Sequence, residues 1–228
     1  MEIDKSINYW LNAKSFNEAR DKVMTGDFEK STEHDLEMLK VLEIKDTDLV
    51  LDFGCGIGRL TKPISEKCKE ITGVDLSGDM IGHAANYCNK ENIIFKQLNN
   101  EEGDGLILEA YDKAFSFIVL QHTSKPKAFK ILFNIFKSLK IDGQMLIQFP
   151  SLESNKLMYQ RYMMFKQNLG VLNPRMEFYT QTELEWLFEM LKMDIKIRKV
   201  KTDYYILATK KEDVNIQEFY TGVNKWKN

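Results

Sequence analysis

Val50-Leu51-Asp52-Phe53-Gly54-Cys55-Gly56-Ile57-Gly58-Arg59-Leu60 is the stretch from which the rest of the 228-residue chain can be read. A short apolar run ends in glycines at alternate positions, and a helical pattern follows. The reading is a buried strand, a sharp turn and a helix start. Glycine lets a backbone bend hard and approach a ligand with no Cβ in the way. In a doubly wound α/β fold, such a turn sits at the carboxyl edge of the sheet, where ligands bind. About twenty residues on, Ile71-Thr72-Gly73-Val74-Asp75 is a second strand ending in an acid. An acid there can accept two charge-assisted hydrogen bonds from a ribose diol.

Outward from this unit, apolar strands alternate with amphipathic helices. Strands are predicted at Leu49–Phe53, Glu70–Val74, Ile93–Lys96, Ala114–Leu120 and Gln144–Phe149, with helices near 59–68, 78–90, 101–110 and 125–140. That order implies a parallel sheet covered on both faces. After Pro150 the alternation lapses for about 25 residues, then resumes as a helix near 181–191 and the runs Ile195–Val200 and Tyr204–Thr209. A short turn containing Asp203 joins those two runs, so an antiparallel hairpin should end a seven-stranded sheet. Residues 1–45 read as helical: Thr32-x-x-Asp35 resembles a cap, and Met38, Leu39, Val41 and Leu42 fall at helical spacing with Leu36. The expected organisation is a single domain over 1–228, with a helical extension (1–45), an α/β core (46–211) and an insertion at 151–178.

Composition narrows the function classes. With 32 basic and 34 acidic residues the net charge is −2, so no global field points to a polyanion. The N-terminus has no apolar segment of signal-peptide type, and the most apolar stretch, Phe115 to Leu120, is too short to span a bilayer. Three cysteines (Cys55, Cys68, Cys88) without a Cys-x-x-Cys pair suit a reducing cytoplasm, and three histidines make a histidine-rich metal site unexpected.

A dinucleotide fingerprint would read G-x-G-x-x-G, but here the third glycine comes one place early and Arg59 stands where that pattern wants glycine. D-x-G-x-G-x-G with the downstream acid resembles the class I S-adenosylmethionine (SAM)-dependent methyltransferases instead. The resemblance spans about residues 45–211 and includes Asp75-Leu76-Ser77-x-x-Met80, the fourth-strand run ending Val119-Leu120-Gln121-His122, and Leu139-Lys140-x-Asp142-Gly143. It implies an antiparallel seventh strand and SAM as methyl donor. By that resemblance Gly54, Gly56 and Gly58 line the methionine part, Asp52 orients the loop and the methionine ammonium, and Asp75 holds the ribose. Cys55, inside the glycine loop, serves packing. Leu76 and Met80 would flank the adenine, and Asn99 or Asn100 would contact it, although Gln97-Leu98-Asn99-Asn100 departs from the common Gly-Asp pattern. Backbone at Leu120 and Gln121 would lie beside the sulfonium. Tyr9, Trp10 and Arg20 are candidates for the methionine carboxylate.

The fourth-strand end carries Gln121-His122-Thr123-Ser124, not the Asp/Asn-Pro-Pro-aromatic run of base-modifying amino-methyltransferases. No cysteine follows a proline, as cytosine C5 methylation requires, and the carboxylates of metal-dependent catechol methylation are missing from the ends of the fourth and fifth strands. His122 is the candidate general base, with positioning of the acceptor as the alternative role. The insertion, with Tyr159, Arg161, Tyr162, Phe165 and Arg175, reads as a lid or acceptor wall; its aromatic residues would equally seat a helix on the core. Arg161 and Arg175 would suit an anionic acceptor. The resulting expectation is O- or N-methylation of a small metabolite or a sugar-bearing intermediate. The alternatives are a non-catalytic SAM- or partner-binding protein, or a methyltransferase acting on protein or RNA.

Overall fold

Leu49–Phe53 forms β1, and its side chains alternate between two cores, Val50 on one face and Leu51 and Phe53 on the other. A strand buried on both faces belongs in the middle of a covered sheet. The computed structural model, which describes residues 8–23, 27–156 and 176–214, places it there. The other strands are β2 (Glu70–Asp75), β3 (Ile93–Gln97), β4 (Tyr111–Ser116), β5 (Leu139–Pro150), β6 (Met193–Val200) and β7 (Asp203–Lys210). Their order is β3-β2-β1-β4-β5-β7-β6. Strands β1 to β5 pair in parallel, and β7 runs antiparallel between β5 and β6. This is the doubly wound, mostly parallel sheet with an antiparallel seventh strand that the motif order implied.

The described helices are α1 (Asn8–Leu11), α2 (Phe16–Val23), α3 (Phe28–Leu39), α4 (Thr61–Ile64), α5 (Gly78–Tyr87), α6 (Lys125–Ser138) and α7 (Gln181–Met190). Ile131, Leu132, Ile135 and Phe136 of α6 pack with Leu184 and Phe188 of α7 in one core. Met38 and Leu39 of α3 cover the other face with Ile64 of α4. Each such fully buried side chain stabilises by about 1.5–3 kcal/mol. A third, smaller cluster docks α1 and α2 onto the turn after β1: Ala13 and Ala19 meet Ile57 and Met80.

Several boundaries differ from the sequence reading. Helix α3 begins at Phe28, where Asp27 accepts from the backbone N–H groups of Glu29 and Lys30, so Thr32-x-x-Asp35 is helix interior and not a cap. The helical pattern at 59–68 contracts to Thr61–Ile64, because Gly56 and Gly58 hold positive φ just before it. Residues 101–110 form turns, with Gly103 and Gly105 at positive φ, in place of the expected helix. The Asn100 side chain organises that loop, accepting from the N–H groups of Glu102 and Asp104 and donating to the Asp104 carboxylate. The fourth strand lies at Tyr111–Ser116, not Ala114–Leu120: Ile118 sits at φ 62° and a 3-10 turn follows over Leu120–His122. Tyr159, Arg161, Tyr162, Phe165 and Arg175 lie outside the described residues. Phe178, at the end of the insertion, is buried.

Candidate functional site

The turn after β1 is pinned to the neighbouring strand, since the N–H groups of Gly54 and Cys55 both donate to the Val74 carbonyl, at 2.8 and 2.9 Å. Gly54 (φ 77°) and Gly58 (φ 80°) are glycine for packing as much as for approach to a ligand. A Cβ on Gly54 would lie 2.2 Å from Val119 Cγ2, and one on Gly58 would lie 2.5 Å from Cys88 Sγ. The turn closes over the end of β2, where Asp75 receives the Gly56 N–H on Oδ2 and the Ser77 N–H on Oδ1, both at 2.9 Å. Burial raises the Asp75 carboxyl above its ordinary value, against those two N–H groups. Ser77 in turn caps α5, accepting from the Met80 N–H at 3.3 Å.

Beside it, Asp52 ends β1 almost fully buried, its Oδ2 accepting from the Thr61 hydroxyl at 2.6 Å. Burial pushes its carboxyl up to about 7; the Thr61 hydroxyl and the Arg59 charge oppose the rise and Asp75 adds to it. Two carboxylates thus stand side by side at the carboxyl ends of adjacent strands, where a doubly wound sheet binds ligands. Cys55 is buried, and that burial with both aspartates raises its thiol well above the usual range, which disfavours the thiolate a nucleophile needs.

These groups open into a cavity of about 1080 Å³, counting its mouth, bounded by the turn, the ends of β1, β2 and β4, and α1. Of the residues singled out from the sequence, Trp10, Asp52, Gly54, Cys55, Gly56, Asp75, Leu76, Met80 and His122 line it. Gly58 instead packs under α5, Leu120 is fully buried, and Gln121 uses its backbone carbonyl to hold the Glu177 N–H at 2.7 Å. Asn99 is exposed, Asn100 is occupied with its own loop, and neither lines the cavity.

Trp10 reaches the cavity from α1, its ring centroid 4.7 Å from that of His122. Arg59 lines it too, ion-paired with Asp35 of α3. Leu98 and Ile131 form an apolar wall, and Glu101, ion-paired with Lys127 of α6, stands next to them. Ile118 is held at its unusual φ by Gln148, whose Oε1 accepts the Ile118 N–H at 2.9 Å. Glu101 and Gln148 are each brought in by tertiary packing, so the sequence alone carried no signal for them. Tyr9 and Arg20, the other candidates for the methionine carboxylate, do not line the cavity; the Arg20 guanidinium lies over the ring of Phe28 in α3, 5.6 Å from its centroid. No group of three or more metal-ligating side chains occurs among the described residues.

The cavity suits the cofactor implied by the motif. It offers an acid at each of two strand ends for ribose hydroxyls and an ammonium, a guanidinium, and the apolar lining side chains of Leu76, Met80, Leu98 and Ile131 for a flat base.

Residues 32–191 match the family model described as a methyltransferase domain. An uncharacterised methyltransferase of Staphylococcus carnosus is 28% identical over 151 residues, covering 64% of this chain and 65% of that protein. The 23S rRNA (uracil(1939)-C(5))-methyltransferase RlmD of Vibrio vulnificus is 36% identical over 67 residues, 29% of this chain and 14% of its own length. The chain thus spans less than two thirds of either relative. The structure is similar to that of magnesium protoporphyrin IX methyltransferase from Synechocystis, solved with bound SAH, with a TM-score of 0.63 at 14% identity over 89% of this chain and 90% of that one.

Proposed function

This chain belongs to the methyltransferase domain family, and from that premise we propose that it transfers a methyl group from SAM to an oxygen or nitrogen of a small metabolite. The observation that carries the reading is the pair Asp52 and Asp75 at the ends of β1 and β2, opening into one cavity with His122 at the end of β4. Asp75 binds the ribose diol. Its two oxygens are already oriented by Gly56 and Ser77, and each retains a further lone pair for a hydroxyl. Asp52 takes the ammonium, which favours its charged form against burial. Glu101, and not Asn99 or Asn100, meets the adenine amine, since of the three it alone lines the cavity.

When bound, SAM supplies a methyl group on a sulfonium, which needs alignment and dry surroundings more than activation. Trp10 and His122 together wall the side of the cavity beyond β4. The indole ring fixes the plane of the imidazole, and His122 orients the acceptor or accepts its proton. Correct alignment is worth roughly 7–11 kcal/mol in well-oriented reactions, and a base adds about 10²–10⁴-fold. The short match to an rRNA methyltransferase favours RNA as the second reading.

The test is incubation of the full chain with isotope-labelled SAM and, separately, with a metabolite extract and with ribosomal RNA, followed by mass spectrometry. A labelled +CH₂ product in the metabolite arm is expected. Label confined to RNA would replace the acceptor class, and label in neither arm, with SAM bound, would favour a binding protein.

A further inference from the structure

Trp10 lines the cavity with its ring against His122, yet its indole N–H is shut off from solvent and meets no hydrogen-bond acceptor among the described residues. A buried donor left without a partner costs about 1–3 kcal/mol, and such a group in a folded protein asks for an explanation. The helix that carries it can yield, because α1 has four residues and none of them is buried. Its neighbours set the rest of the chemistry. Phe117, Ile118 and Val119 line the cavity as the chain leaves β4, and His122 follows them. Among the described lining residues the carboxylates are those of Asp52, Asp75 and Glu101, which the reading above commits to SAM. None is left to hold an acceptor that arrives as an ammonium.

We propose that the methyl acceptor is a hydroxyl on a flat aromatic molecule, and that the Trp10 N–H donates to its oxygen. The proposal rests on the function above and narrows its oxygen-or-nitrogen alternative to oxygen. It also moves Trp10 from the methionine carboxylate, for which the sequence offered it, to the acceptor. Entry of the acceptor shifts α1 enough to bring the N–H onto that oxygen. An indole N–H is a donor only, whereas a hydroxyl oxygen has two lone pairs. One accepts from Trp10 while the other attacks. An amine nitrogen has a single lone pair, which the new bond to carbon consumes, and its own N–H groups would face the indole donor. In the transfer the oxygen forms its bond to the methyl carbon and the carbon–sulfur bond breaks, its electron pair going to sulfur. The hydroxyl proton leaves through His122 to solvent. A phenolic hydroxyl, with a pKa of about 10, gives that proton to an imidazole more readily than an aliphatic one near the value of water, about 15.7. Trp10 and Phe117 offer aromatic surface to such a ring.

The experiment is calorimetric titration of the full chain, saturated with SAH (the demethylated form of SAM), with naphthol and with naphthylamine substituted at the same carbon. Naphthol is expected to bind about 10-fold tighter, the worth of one hydrogen bond. Trp10→Phe keeps a ring and removes the donor, so its affinities for the pair should lie within about twofold of each other. In magnetic resonance spectra of the isotope-labelled chain, the Trp10 indole proton, identified by its loss in Trp10→Phe, should move downfield with naphthol and stay in place with naphthylamine. The wild-type ratio decides if that variant does not fold. Equal affinities in the wild type, tighter binding of naphthylamine, binding of neither, or a preference that survives in folded Trp10→Phe would overturn the proposal. So would an indole signal that naphthol leaves unmoved. A chain that does not bind SAH would instead refute the SAM reading on which the proposal stands.

Discussion

Asp75→Ala separates the two roles that the carboxylate holds, and its effects can be worked from the contacts. In the ribose role, two charge-assisted hydrogen bonds are lost, each worth about 1.5–3 kcal/mol. The loss predicts at least roughly 100-fold weaker SAM binding. In the structural role, the Gly56 and Ser77 N–H groups lose the acceptor they reach at 2.9 Å. Stranding each costs about 1–3 kcal/mol. Part of that returns, because burial already holds the carboxyl above its ordinary value and the alanine buries no charge. A net loss of about 1–4 kcal/mol leaves a domain of typical stability, about 5–15 kcal/mol, folded. The two N–H donors are the source of that stability cost. Calorimetry with SAM measures the first effect, and urea unfolding measures the second. Asp75→Asn, which keeps one acceptor oxygen, should fall between wild type and alanine in both. SAM affinity within about threefold of wild type in a cooperatively unfolding Asp75→Ala would refute the assignment.

Asp52 sets a pH dependence. Its folded pKa of about 7 lies above the ordinary 3.8, so the folded state holds the proton more tightly and stability falls as pH rises from about 4 to about 7. Asp52→Asn should flatten that slope in pH-dependent urea melts, while SAM affinity in the wild type should rise with pH towards about 7, since a bound cation favours the carboxylate. Gly54→Ala places a Cβ 2.2 Å from Val119 at φ 77° and should destabilise by about 1–3 kcal/mol, with Val119→Ala restoring only the steric part in thermal melts. His122→Ala should leave SAM affinity within a few-fold and lower kcat; a fall of about 10²-fold or more that shrinks at high pH marks a base, and a rise in acceptor KM with a modest fall in kcat marks a positioning role.

What was legible in the sequence is what short-range pattern can encode. The runs Leu49–Phe53 and Ile71–Asp75 are apolar, flanked by turn residues and too short for helices, so the strands and the acid at the second strand's end could be placed within a residue. The terminal hairpin was legible for the same reason. Residues 101–110 were not: Leu106 and Ala110 pack against the core from turns while Ile107 and Leu108 are exposed, a split that gives no helical face. Similarly, Asn99 and Asn100 offered amides at the right distance along the chain. The fold spends one on a loop and turns the other to solvent, leaving the wall to Glu101.

The end of β4 shows why the rest of the site could not be read locally. Ala114 to Leu120 is almost wholly apolar, and seven such residues read naturally as one strand. The pairing with β5 nevertheless ends at Ser116, and Ile118 takes φ 62°, a conformation that a β-branched side chain rarely adopts. The displaced Ile118 N–H is not stranded, because Gln148, 30 residues further on, supplies its side-chain oxygen. Ser116 ties the same corner to β1 by donating to the Phe53 carbonyl at 2.9 Å. Such strain persists only where surrounding contacts over-determine it. Here the outcome shapes the cavity: the chain leaves the sheet two residues after β4, so Val119 fills the space above Gly54 and the following turn brings His122 to Trp10. Placing His122 in the cavity therefore depends on an interaction between β4 and β5 that becomes visible only when the two strands lie side by side.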